Sequence, residues 1–284
     1  MVICMSKELL NRHENDLVQH LAELEHKSIL IIREAFKQTR NLYVLWSMGK
    51  DSTVLVHLIR KAFLGNFPIS LVHIDTSFKI PEMITFRDEY VKKHNLNLII
   101  GKNQDALNNG MNHTLGKLNC CGALKTQALL DIILSYNIHG LMLGIRRDEE
   151  GSRGKERVVS PRFNSGKDWQ YKDQLAEIAD YYNFHLPEDI HLRIHPILHW
   201  TELDIWEYIK QENLEILPLY YAKNGIRYRS LGCYPCTNSI VSQATTLDEI
   251  ILELKNTKES ERAGRAQDQA DNHAMQLLRK IGYM

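Results

Sequence analysis

Three groups of residues in this sequence are of the types and spacings that do chemistry. The first is Ser47-Met48-Gly49-Lys50-Asp51-Ser52, which joins the apolar run 42–46 to Val54, Leu55, Leu58 and Ile59 at helical spacing. A pyrophosphate at such a strand-to-helix turn would be met by backbone N–H groups of the helix N-terminus, by the Ser47 and Ser52 hydroxyls and by the Lys50 ammonium. Gly49 would let the backbone turn tightly and approach the anion. A Walker loop needs Gly-x-x-x-x-Gly-Lys-Ser/Thr, which this stretch is not. Without a ligand it reads as a polar turn with Asp51 or Ser52 as helix N-cap; the strand before it and the helix after it favour the phosphate reading.

The second group is Arg146, Arg147, Asp148, Glu149, Glu150 and Arg153, directly after a predicted strand end, where open α/β sheets place their ligands. The planar fork of arginine suits sulfate and phosphate oxygens, which makes Arg146, Arg147 and Arg153 candidates to gather tetrahedral anions at the phosphate loop. Asp148 and Glu149 would orient those arginines or hold Mg²⁺. A bare charge run would be a solvated loop whose salt bridges cancel, and the strand-end position argues against that. Lys155 and Arg157 are weaker candidates. The third group is cysteine: of five, Cys120 and Cys121 are adjacent and Cys233 and Cys236 form a Cys-x-x-Cys. The two pairs are separated by 111 residues, far more than a zinc ribbon allows. An odd cysteine count in a chain read as cytoplasmic points to metal or redox chemistry before a disulfide framework. Buried structural thiols are the plainer alternative, and Cys4 lies outside the pattern.

These groups need elements to position them. Leu17, Leu21, Leu24, Leu30 and Ile31 recur at helical spacing in the first forty residues, predicting one long helix or two short ones. Strands are expected over 42–46, 69–74, 96–100 and 141–143, with helices after 50, over 81–93 and over 124–136. Strand and helix alternate, so the economical fold is α/β, a parallel sheet wrapped by helices. Residues 146–173 have little apolar periodicity and read as a long charged loop. A strand over 190–197, a capping-box helix starting at Thr201-Glu202-Leu203-Asp204 and a two-segment helical tail from Thr246 follow. The expected organisation is an N-terminal helical segment (1–40), a nucleotide-binding α/β domain (41–200) and a helical C-terminal appendage (201–284).

Ser47-x-Gly49-Lys50-Asp51-Ser52 resembles the PP-loop of the ATP pyrophosphatases, whose adenine nucleotide α-hydrolase-like fold matches the expected sheet. Within them the chain resembles the sulfate adenylyltransferase small subunits of the PAPS reductase family. That likeness is carried by His73-Ile74-Asp75-Thr76, by 144–150 with Ser152-Arg153, by 196–209 with Trp200-Thr201, by Leu231-Gly232-Cys233, and by Ser260-Glu261-Arg262 with Gly264-Arg265. The resemblance implies that a sulfate oxygen attacks the α-phosphorus of ATP, giving adenylyl sulfate and pyrophosphate. Mg²⁺, Lys50 and the arginines would neutralise the leaving group. Adenine would lie near Leu45, Trp46 and Ile74, with Asp75, Thr76 and Gly144 beside the nucleotide; without one, Asp75 and Thr76 are turn caps. It also implies a GTPase large subunit on another chain. The cysteine pairs resemble the [4Fe-4S] pattern of adenylyl-sulfate reductases in the same family, with a four-cysteine Zn²⁺ site as the competitor. Sulfate adenylyltransferase small subunits usually lack that set. A further departure is the short connection from Tyr220 to Arg229.

The remaining readings are bounded by composition. The 35 Lys+Arg offset 35 Asp+Glu, so no global field draws the chain to nucleic acid or an anionic membrane. No basic leader and no 18-residue apolar stretch is evident, so a soluble cytoplasmic protein is expected. The resemblance to adenylyl-sulfate reductases implies a nucleophilic cysteine in a C-terminal tail, and no cysteine follows Cys236 here, which ranks a reductase low. An iron-sulfur enzyme of tRNA or DNA thiolation, a nucleotide-binding regulatory subunit and a homo-oligomer all stay open. Among the histidines His73, two residues before Asp75, has the best claim to function; Trp200 and Trp206 read as packing residues.

Overall fold

The computed structural model describes residues 7–164, 190–259 and 261. It opens on one continuous helix, α1 (Lys7–Gln38), whose Leu21, Leu24, Ile31 and Ile32 form the buried stripe. Strand β1 (Leu42–Leu45), helix α2 (Lys50–Ala62), strand β2 (Ser70–Ile74), helix α3 (Pro81–Lys93) and strand β3 (Leu98–Gly101) then alternate. Short helices α4 (Gln104–Asn108) and α5 (Lys117–Cys121) follow. A π-helical turn over Gly122–Gln127 runs directly into α6 (Ala128–Ser135), so the helix expected over 124–136 is widened through its first half. Beyond β4 (Gly140–Leu143) come β5 (Val159–Phe163), β6 (Ile190–Ile194), α7 (Glu202–Gln211), the hairpin β7 (Ile226–Tyr228) and β8 (Ser239–Val241), and α8 (Leu247–Asn256).

One six-stranded sheet has the order β3-β2-β1-β4-β6-β5. All neighbours are parallel except β5, which runs antiparallel to β6. Helices cover both faces, so the central strands are continuous apolar runs without alternation. On one face α1, α2, α3, α7 and α8 enclose Ile32, Val54, Leu55, Phe86, Trp206 and Ile250 in a single cluster; on the other, Leu129 and Ile133 of α6 pack on Val72 and Leu141. The chain leaves β1 toward β2 on one side and reaches β4 on the other. The crevice at the carboxyl ends of β1 and β4 is therefore the topological switch point, and the loops after both strands open into it.

Residues 146–164 are not the solvated loop that their charge suggests. Short 3₁₀ turns occupy Arg147–Glu149 and Gly151–Lys155, and β5 extends the sheet. The strand was illegible because its inward positions carry polar groups: buried Arg162 pairs with buried Glu156 at 3.0 Å. Residues 165–173 of that stretch lie outside the described residues, as does the second helical segment of the tail. The capping box is as expected, with the Asp204 N–H donating to Thr201 Oγ1 at 3.1 Å and the Thr201 N–H to Asp204 Oδ2 at 2.8 Å. Trp200 and Trp206 are buried in the apolar cluster.

Gly144 ties β4 to α2. A Cβ there would stand 2.8 Å from both Cα and N of Ser52, backbone atoms that cannot swing aside. Gly144→Ala should therefore push the α2 N-terminus off the sheet and cost about 1–3 kcal/mol, as overpacking does. A thermal melt should show Tm falling by several degrees, and an unchanged Tm would mean that the two elements are not in contact.

Candidate functional site

The loop between β1 and α2 carries a left-handed residue, but it is not the glycine. Met48 has φ 63, while Gly49 is extended at φ −68. At 49 a Cβ would lie 3.3 Å from Ser47 Oγ, a tight contact, and 3.6 Å from the Tyr220 hydroxyl, so glycine leaves the loop its room. Ser47 and Ser52 hydroxyls are 3.2 Å apart, and Ser52 donates to the Gly49 carbonyl at 3.0 Å. The Lys50 N–H, first of the α2 N-terminus, donates to the Tyr220 hydroxyl at 2.9 Å. Neither Asp51 nor Ser52 is the N-cap; Gly49 is.

A cavity of about 150 Å³ opens at this loop. The predicted residues Leu45, Trp46, Ser47, Gly49, Lys50, Asp51, Ser52, Ile74, Gly144, Glu149 and Arg153 all line it. His73 also lines it, its Nδ1–H donating to the Trp46 carbonyl at 3.1 Å, while burial drops its pKa to about 3 and keeps it neutral. Sequence reasoning gave no site role to Tyr220, Lys79 or Ser230 in this wall, and named Gly232 and Glu261 only within stretches that carry the family likeness. Only the Ser-Glu-Arg likeness pointed at Glu261, without a position. A larger cavity of about 760 Å³ lies between the β7–β8 hairpin and α8 and contains no phosphate-loop residue. The chemistry belongs to the smaller one.

The two cations expected to meet phosphate are buried in carboxylates. Lys50 is 1% exposed and lies 2.5 Å from Glu261, 3.4 Å from Asp51 and 3.9 Å from Glu202. Burial pulls its pKa down, but those carboxylates more than reverse the pull, so the ammonium stays protonated. Arg146, with no exposed surface, bonds Asp51 at 2.5 Å and also Asp148 and Glu261. Asp51 is held at about 2 by Arg146 and Lys50 against its burial. Glu261 has its carboxyl raised to about 7 by burial, against the pull of Lys50 and Arg146. The predicted acids next to the arginines orient them: Asp148 also accepts from the Glu202 N–H at 2.7 Å, and Glu149 bonds Arg153.

Five predicted residues do not line the cavity: Arg146 and Asp148, which sit in the ion-pair network behind its wall, and Arg147, Asp75 and Thr76. Arg147 turns away, its Nη2 donating to the Glu156 carbonyl at 2.9 Å and its N–H to the Leu198 carbonyl at 3.0 Å. Asp75 caps its own turn by accepting from the Ser77 N–H at 2.8 Å. Thr76 faces the cysteines, with its hydroxyl 3.1 Å from Cys233 Sγ.

All four cysteines of the two pairs are free thiols lining one small cavity. The pairs meet because the Cys-x-x-Cys turn is stitched to the loop after β2, where the Tyr234 N–H donates to the Phe78 carbonyl at 2.7 Å. Burial and then Cys121, Cys233 and Cys236 raise the Cys120 thiol to about 11: a negative sulfur there needs a positive partner. Among the described residues, no three His, Cys, Asp or Glu side chains converge tightly enough to form a ready metal site. Lys125 lines both this cavity and the one at the phosphate loop.

The phosphoadenosine phosphosulfate reductase domain family matches residues 41–239. Sulfate adenylyltransferase subunit 2 of Aeromonas salmonicida is 42% identical, covering 93% of this chain and 95% of that protein. The subunit of the same name from Bacteroides thetaiotaomicron is 40% identical over 94% and 98%. Among solved structures, phosphoadenylyl-sulfate reductase from Candida auris superposes with a TM-score of 0.53 at 15% identity, covering 84% of this chain and all of that one. An FMN adenylyltransferase from Candida glabrata reaches 0.56 at 15% identity, covering 94% and 82%. These distant structures have the expected fold, and the closer sequences narrow it: the chain belongs to the sulfate adenylyltransferase subunit 2 family, within the phosphoadenosine phosphosulfate reductase domain family.

Proposed function

We propose that this chain transfers the adenylyl group of ATP to sulfate, releasing pyrophosphate, as a sulfate adenylyltransferase of sulfate assimilation. The observation that carries the reading is about 40% identity to relatives of that name over nearly the whole chain, together with a phosphate loop at the sheet's switch point. A sulfate oxygen forms the new bond to the α-phosphorus while the bond to the bridging oxygen breaks, its electron pair leaving with pyrophosphate. Sulfate is already ionised at neutral pH, so the step needs position and charge more than proton transfer. ATP enters as its Mg²⁺ complex. The α2 N-terminus, Lys50, Arg146 and Arg153 take the phosphates and sulfate, and Leu45, Trp46 and Ile74 take the adenine. Residues 41–200 form the nucleotide-binding domain that supplies most of this site, and Tyr220, Ser230, Gly232 and Glu261 from beyond 200 complete its wall. The subunit number borne by the relatives points to a large subunit, which we take to be a GTPase that supplies the energy of an unfavourable product. The working location is the cytoplasm; no described helix is long and apolar enough to cross a membrane.

The four cysteines fit a thiolate-bound group. They line one cavity, burial and then the other three sulfurs raise the Cys120 thiol, and the Thr76 hydroxyl lies 3.1 Å from Cys233 Sγ. Cys120, Cys121, Cys233 and Cys236 would hold a [4Fe-4S] cluster, or Zn²⁺ in its place, and such a group would cross-link the helix after β3 to the β7–β8 turn.

Sulfate-dependent exchange of labelled pyrophosphate into ATP tests the function, on protein purified without oxygen and with a candidate large subunit. Wild type should exchange only when sulfate is present. Lys50→Ala should abolish exchange with Tm kept, while Arg147→Ala should lower it by about tenfold through the 156 and 198 loops that Arg147 holds. Exchange that ignores sulfate would point to another acceptor. Cys233→Ser should lose bound iron or zinc in elemental analysis, and full retention would remove the cysteine proposal.

A further inference from the structure

We propose that Glu261 is an internal ligand of the phosphate site: its carboxylate holds Lys50 and Arg146 where a phosphate would, and exchanges with phosphate when ATP or pyrophosphate binds, so that this residue sets their affinity. The inference rests on reading the pocket as the ATP site.

Geometry is the first support. Both Glu261 oxygens are spent on the two cations, Oε1 on Lys50 Nζ at 2.5 Å and Oε2 on Arg146 Nη2. A carboxylate bridging an ammonium and a guanidinium makes the contacts that two oxygens of one phosphate would make.

Charge is the second. The ion-pair network of the pocket holds Asp51, Asp148, Glu202 and Glu261 against Lys50, Arg146 and Arg229. Glu261 occupies Lys50 and Arg146 together, so a polyanion reaches that pair of cations as a pair only when Glu261 gives way. Two of the four have partners beyond Lys50 and Arg146: Asp148 also accepts from the Glu202 N–H at 2.7 Å, and Glu202 accepts the Arg229 fork at 2.7 to 3.2 Å. Glu261 arrives from the far C-terminal side of the chain, and burial raises its carboxyl to about 7 against the pull of Lys50 and Arg146.

Space is the third. A pocket of about 150 Å³ is narrower than the roughly 300–1,000 Å³ typical of sites for small organic ligands. Glu261 lines this cavity and also the 760 Å³ cavity beside it. Withdrawing its side chain widens the first toward the second. Arg229, which donates to the Glu259 carbonyl at 3.0 Å, keeps the segment close enough to return.

The opposite role, in which Glu261 positions Lys50 or helps to hold the Mg²⁺ of the substrate, predicts the opposite sign. Equilibrium binding of inorganic pyrophosphate and of MgATP to the full chain separates them. Glu261→Gln removes the competing charge and should tighten pyrophosphate by about tenfold, equivalent to about 1.4 kcal/mol. In exchange assays it should lower KM for ATP without raising kcat. Glu261→Asp, whose shorter arm cannot bridge both cations, should tighten binding by less. A melt of each variant reports folding, and Glu261→Asp carries the test if Glu261→Gln does not fold. Binding that is unchanged or weaker in the folded variants overturns the proposal while leaving the ATP reading intact. A wild type that binds neither pyrophosphate nor ATP overturns both.

Discussion

Two cations buried at the switch point of the sheet govern the local structure around them. A lysine and an arginine with almost no exposed surface cannot stand in a protein interior alone, because removing a charge from water costs several kcal/mol unless partners replace the water. Asp51, Asp148, Glu202 and Glu261 are those partners, and they reach the crevice from α2, from the turn after β4, from the start of α7 and from the C-terminal segment. The network thus binds parts of the chain that are far apart in sequence. Its second layer follows the same logic: Arg229 pairs with Glu202, and Arg153 with Glu149. A site built to take polyanions must hold positive charge before the polyanion arrives, and the fold meets that requirement with its own carboxylates.

Much of the sheet was legible because buried parallel strands are short apolar runs and the intervening helices show a 3.6-residue period. The edges of these runs moved by one or two residues, as at β3, expected from 96 and observed as Leu98–Gly101. What stayed hidden was polar structure. Strand β5 buries Arg162 and Ser160 in place of apolar side chains, and β7 and β8 are only three residues each. No periodicity survives in segments of that kind.

Within the site, the phosphate loop was legible as a local motif flanked by the right elements. The carboxylates facing it were not, since Glu202 and Glu261 come from 152 and 211 residues beyond Lys50, and spacing carries no information across such gaps. Their partners explain why Arg146 is directed into the crevice while the adjacent Arg147 is directed out of it. Arg146 is extended at φ −127, and the chain turns into the 3₁₀ segment at Arg147, which sets the two side chains on different partners. Within the loop the left-handed backbone falls on Met48, and Gly49 is extended with the Ser47 and Tyr220 hydroxyls close above it.

The antiparallel strand β5 has a bearing on how copies of the chain meet. It ends the sheet on the β6 side with Pro161, which has no N–H to offer, and with Arg162 turned inward against Glu156. Proline and inward charge are the devices by which sheet edges avoid recruiting another strand. Among the described residues that border is therefore poor ground for another strand to join, whether from a second copy or from a newly made chain.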